Sequence, residues 1–125
     1  GMLLREGRDW HFAPTAEGLR VAIDGRQVNA ALPALAGPHQ CANAALAIAM
    51  LMAQRVVPVC DAALMTAPEL ARWPERMQRL RAGPLRNLLG AGAELWLDGG
   101  HNANAGEALA KALPGDGPIN IVVGM

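Results

Sequence analysis

Residues 93–115, "AELWLDGGHNANAGEALAKALPG", decide the fold. An apolar run, Leu95 to Leu97, ends in Asp98. Two glycines, His101 and Asn102 follow. Beyond them Ala105, Leu109 and Leu113 recur at four-residue spacing, which predicts a helix over 104–115. The next segment, "INIVVGM" at 119–125, predicts a strand. Residues 93–125 therefore read β-α-β, a parallel crossover unit. In such a sheet the turn after a strand's carboxyl end faces the crevice where ligands bind. Asp98 there can accept from a sugar hydroxyl, and His101 can donate to a phosphate oxygen beside the free N–H groups of a helix start. Equally, Asp98 or Asn102 can cap the helix, because Asp and Asn are strongly preferred there. From spacing alone both readings stand. No G-x-G-x-x-G dinucleotide fingerprint occurs.

Upstream, "PERMQRLRAGPL" (74–85) reads as extended chain turning at Gly83-Pro84. "DAALMTAPELARW" (61–73) predicts a short helix interrupted before Pro68. "GPHQCANAALAIAMLMAQ" (37–54) is the clearest helix, opened by Gly37-Pro38. Between Cys41 and Ala53 its one polar residue is Asn43, and a helix apolar all round is expected to be buried all round. "GLRVAIDGRQV" (18–28) predicts a hairpin turning at Asp24-Gly25. Residues 2–12 suggest two further short strands around a Gly turn. The loop at 68–78 is the best boundary, giving regions 2–73 and 74–125.

The chain has 125 residues, 52% of them hydrophobic, which is enough for a real core. With three Trp, one Phe and no Tyr, that core is aliphatic. Eleven basic and eleven acidic residues balance, so nothing draws in a nucleic acid. The longest apolar run, Ala44 to Ala53, is too short for the roughly 20 residues of a membrane span. No secretory leader pattern opens the chain, and a cytoplasmic setting is expected. Cys41 and Cys60 form no disulfide framework and read as free buried thiols. His11, His39 and His101 show no metal-ligand spacing, so no metal site is expected.

Three segments carry a resemblance. They are "HQCANA" (39–44), "WPERMQ" (73–78) and "DGGHNA" (98–103). In that order they resemble the H-Q-x-x-N-A, W-P-G-R-(L/M)-(E/Q) and D-(G/A/V)-A-H-N-P motifs of the folylpolyglutamate synthase/dihydrofolate synthase family, within the Mur ligase superfamily. The resemblance covers roughly residues 8 to 125. Glu75 stands where the family has Gly, Gly100 for Ala, and Ala103 for Pro. The implied fold is the end of a Mur-ligase-like central domain, hairpin strands plus a buried helix, followed by a truncated Rossmann-like C-terminal domain.

The resemblance also implies an activity: ATP-dependent addition of L-glutamate to a folate or dihydropteroate carboxylate through an acyl phosphate. It implies ATP and Mg as cofactors of an intact parent. Asn43 would contact the adenine edge, Arg76 the phosphates and Asp98 the ribose, with His101 on the phosphate side. The nucleotide would then lie between domains. No G-x-x-x-x-G-K-[ST] loop is present, so the chain reads as a fragment expected to be inactive alone. Competing readings are a non-catalytic binding module and a fragment of a cell-wall amino-acid ligase. An apolar strand at 119–125 with no neighbour would leave an open sheet edge, from which a homodimer is expected.

Overall fold

The computed structural model describes residues 3–113 and 117–124. The chain falls into two compact units, Gly1–Arg72 and Trp73–Met125.

The first unit is a three-stranded antiparallel meander carrying two helices. Its strands are β1 (Trp10–Pro14), β2 (Gly18–Ile23) and β3 (Arg26–Ala31), in that spatial order. The turn falls at Asp24-Gly25, as expected. Both residues have positive φ, 49° and 74°, and Ile23 pairs directly with Arg26. That is the primed two-residue turn whose twist suits a hairpin. Alternation along β2 and β3 sends Val21, Ile23, Val28 and Ala30 into one core. Trp10 joins them and stacks on Phe12, ring centroids 6.3 Å apart. At the start of β2, a Cβ on Gly18 would sit 2.0 Å from the Ala30 carbonyl oxygen, so close strand approach requires glycine there. Of the two short strands expected in 2–12, only β1 forms among the described residues. Upstream of it there is a single bridge between Glu6 and Trp10.

Helices α1 (His39–Ala53) and α2 (Asp61–Leu70) cover the sheet. α1 lays Ala45, Ile48 and Ala49 on it, and α2 adds Leu64. The expectation that α1 is buried all round is wrong. Leu46, Ala47 and Met50 are exposed, because a three-stranded sheet offers a single face and a helix can lay only one side on it. The expected break before Pro68 is also absent. Pro68 lies buried inside α2, near its end, where few intrahelical bonds remain to be lost, and its carbonyl accepts from the Ala34 amide. Cys41 is half-buried and Cys60 exposed, so the thiols are free but not buried.

The second unit contains β4 (Gln78–Leu80), α3 (Pro84–Asn87), β5 (Leu95–Leu97) and α4 (Ala103–Ala112). β4 and β5 pair antiparallel, with Arg79 opposite Trp96. This corrects the expected parallel β-α-β unit. Residues 118–124 form no strand, and their apolar side chains are exposed. The physical reason is coverage: parallel strands are stable when both faces are buried, and no second covering layer occurs among the described residues of this unit. β5 instead pairs with β4, which the α3-containing connection brings alongside it antiparallel. The open strand edge behind the homodimer expectation is thus not formed among the described residues, and Met125 lies outside them. α4 agrees with its predicted stripe, since Ala105, Leu109 and Leu113 are half-buried. The rest of its expected span, 114–115, lies outside the described residues. No described helix is long and apolar enough to cross a membrane.

Candidate functional site

In the second unit three of the four expected site residues come together. β5 ends at Leu97 and delivers Asp98 to the turn before α4. Both carboxylate oxygens of Asp98 are engaged by backbone. Oδ1 accepts from the Gly100 amide at 2.8 Å, and Oδ2 accepts from the Met77 amide at 2.8 Å. The Gly99 amide donates to the Glu75 carbonyl at 2.8 Å. The turn carrying Arg76 is therefore laced on both sides of that residue to the turn carrying Asp98.

The Arg76 turn is bent sharply. Glu75 has φ 60° and Met77 has φ 44°, both in the left-handed region that costs an L side chain energy. Met77 is buried and roots the turn, while Arg76 projects into solvent. No ion pair involves Arg76 among the described residues. The left-handed φ at position 75 is also what a glycine would satisfy without strain.

His101 is exposed. Its Nδ1 lies 3.2 Å from the Gly99 carbonyl. A carbonyl can only accept, so in that bond Nδ1 is the donor. Asn102 is the cap of α4: its side chain accepts from the Ala105 amide at 2.9 Å. The capping alternative thus holds for Asn102. Gly100 packs tightly, since a Cβ there would lie 2.8 Å from both the Ala105 Cβ and Asp98 Oδ1.

Asn43 belongs to the first unit. It is exposed on α1, and its amide nitrogen donates to Gln40 Oε1 at 3.2 Å. Gln40 is buried, and its own amide nitrogen lies 3.0 Å from His39 Nε2. A side-chain relay therefore runs from His39 through Gln40 to Asn43. It leaves the Asn43 Oδ1 and one N–H for an outside partner, the pairing that suits an adenine edge. His39 and Gln40 carry no assigned role in the sequence motifs beyond their place in the HQCANA segment. Sequence reasoning missed Gln40 as the support of Asn43, for which the three-residue spacing on one helix face was the available signal. It also missed the Met77 amide, because backbone groups leave no mark in a sequence.

No group of three or more His, Cys, Asp or Glu side chains able to hold a metal occurs among the described residues. No protein-family model matches the chain, and no curated protein matches it. Solved structures do. E. coli FolC in complex with DHPP and ADP matches with a TM-score of 0.67 and 28% identity, over 93% of this chain and 26% of that one. In fold and in sequence, the chain resembles the folylpolyglutamate synthase/dihydrofolate synthases. A bifunctional folylpolyglutamate synthase/dihydrofolate synthase with Mn, AMPPNP and L-glutamate bound matches with a TM-score of 0.63 and 28% identity, over 87% of this chain and 23% of that one. E. coli FolC with ADP and no folate substrate gives a TM-score of 0.67 at 28% identity, covering 93% of this chain and 26% of that one. The FolC-like chain thus spans about a quarter of the length of the proteins it matches.

Proposed function

We propose that this FolC-like chain is a nucleotide-contacting segment of an ATP-dependent ligase that adds L-glutamate to a folate or dihydropteroate carboxylate. The observation that carries the reading is the match to FolC with ADP and DHPP across 93% of the chain, in a sequence that also holds the three motif segments. In such a ligase a substrate carboxylate takes the γ-phosphoryl group of ATP. The resulting acyl phosphate is attacked by the amine of glutamate, and phosphate leaves. Little covalent work falls to the protein in phosphoryl transfer, so its task is to position groups and neutralise charge.

The residues of this chain suit parts of that task. Arg76, exposed and free of ion pairs among the described residues, offers a planar fork to phosphate oxygens. His101 takes the phosphate side. Asp98 keeps one lone pair on each oxygen after its backbone bonds and can accept from a ribose hydroxyl. Asn43, held by Gln40, serves the adenine edge. A divalent ion, Mg in this proposal and Mn in one matching structure, would neutralise phosphate charge, and no group of described side chains here is suited to hold it. A G-x-x-x-x-G-K-[ST] loop is missing from the sequence, so the chain alone is expected to bind nucleotide without turning it over.

Two measurements test this. Titration of the chain with ADP, followed by NMR, should shift the amides of 75–77 and 98–102. Phosphate release with ATP, magnesium, dihydropteroate and glutamate should equal the no-protein control. Turnover that disappears in Arg76→Ala would overturn the inactivity of the chain alone, and absence of any nucleotide-dependent shift would overturn the nucleotide reading.

A further inference from the structure

We infer that Asp98 is a positioning residue for Arg76: its carboxylate grips the Met77 amide and fixes the bent turn from which the guanidinium projects. The inference rests on the nucleotide reading above and adds to the ribose contact a second task for the same carboxylate.

Three observations carry it. First, Met77 N–H donates to Asp98 Oδ2 at 2.8 Å across 21 positions of sequence, so the bond is not a local turn contact. Second, the residues on either side of Arg76 both hold left-handed backbone, φ 60° at Glu75 and 44° at Met77. Neither is glycine, so the turn needs outside bonds to persist. Third, Asp98 is itself immobilised by Gly100 N–H on Oδ1, while Gly99 N–H takes the Glu75 carbonyl. Arg76 sits between the tied carbonyl of Glu75 and the tied amide of Met77. Its Cα has little freedom, and the entropy of ordering the arginine on a phosphate is correspondingly reduced.

The chemistry also explains the residue type. Two amides point at the two oxygens, and a carboxylate is acceptor-only. An asparagine would turn an N–H toward one of those amides. A ribose hydroxyl, by contrast, can still donate to an amide oxygen, though less strongly than to a carboxylate, and that loss is shared by ATP and adenosine. Asp98→Asn therefore separates the two tasks.

The test compares ATP with adenosine. Affinities of the 125-residue chain for both are measured by NMR titration in wild type, Asp98→Ala, Asp98→Asn, Arg76→Ala and the double Asp98→Ala/Arg76→Ala. Dividing one affinity by the other cancels the base and ribose contacts and leaves the phosphate contribution. The preference for ATP should fall about tenfold in Arg76→Ala, the value of one charged hydrogen bond. It should fall by a similar factor in both Asp98 variants, and no further in the double variant. The Met77 amide should lose hydrogen-exchange protection in the Asp98 variants while the Ala105 amide, capped by Asn102, keeps its own. Asp98→Asn guards against a folding failure in Asp98→Ala. An ATP preference left intact in Asp98→Ala, with adenosine itself weakened, would make the carboxylate a ribose ligand only and overturn the inference. A wild-type chain that binds ATP no better than adenosine would instead remove the phosphate role of Arg76, and the inference with it.

Discussion

Replacing Glu75 by glycine should stabilise the Arg76 turn. Glu75 holds φ 60°, where its Cβ crowds the following carbonyl. That conformation costs an L residue about 1–2 kcal/mol. Glycine escapes the crowding but gives up about 0.5–1 kcal/mol of extra freedom on ordering. The side chain itself offers little to lose. It is exposed, and no hydrogen bond or ion pair of its carboxylate occurs among the described residues. The backbone bonds, Glu75 N–H to Gln78 Oε1 and Gly99 N–H to the Glu75 carbonyl, survive the change. The balance lies between about 0 and 1.5 kcal/mol of gain, with 0.5–1 kcal/mol as its middle. Native-state exchange of the Met77 and Gly99 amides reads it locally, which matters because two units need not unfold as one. Both amides should slow by about two- to fivefold in Glu75→Gly. Glu75→Ala keeps the Cβ and should leave the rates near wild type. Faster exchange in Glu75→Gly, or equal slowing in Glu75→Ala, would refute the strain argument.

Asn102→Ala removes the cap of α4 and should destabilise that helix by about 1 kcal/mol, read as faster exchange of the Ala105 amide. Leu64→Ala empties a side chain that is 2% exposed in the first unit and should cost about 2–5 kcal/mol in chemical denaturation followed by Trp10 fluorescence. Gly18→Ala should disrupt the same unit more severely, because its Cβ meets a strand carbonyl, and circular dichroism should show the loss. The Asp9 carboxyl is held below the usual aspartate range by the Arg5 amide and then by the Arg8 side chain. A carboxyl depressed by folding stabilises the chain above its unfolded pKa and loses that contribution as pH falls through the folded one. An acid titration should show a small loss from this site in wild type that is missing in Asp9→Asn.

Elements written by local chemistry were legible in the sequence. Asp24-Gly25 specified its turn through positive φ, α1 announced itself by an apolar run behind Gly37-Pro38 and α4 by its spacing, and Asn102 was a candidate cap. What failed depended on the surroundings. The apolar segment 119–124 has strand composition, but a strand exists only if a neighbour takes its amides. The alternation that marks a half-buried strand is invisible in three-residue pieces such as Gln78–Leu80. The uniform apolar character of α1 promised burial, yet burial is decided by how much surface is available to cover it. At the candidate site the polar residues were legible by motif, and the departure at Glu75 was visible as a departure. Its meaning was not, because a left-handed φ belongs to the backbone.

The lacing between Glu75–Met77 and Gly99–Asp98 closes a loop at its neck. Everything from Gln78 to Leu97 leaves and returns through that one constriction. The loop's far end, around Gly90 and Gly92, can therefore change length without the change reaching Arg76. Lengthening a flexible loop is inexpensive, about 0.6 kcal/mol for each doubling. A short polar insertion between Gly90 and Gly92 should leave the arginine where it is. The same insertion between Leu97 and Asp98 would shift the latch itself. Within this unit, tolerance to added chain is set by which side of the neck receives it, not by distance from Arg76 along the sequence.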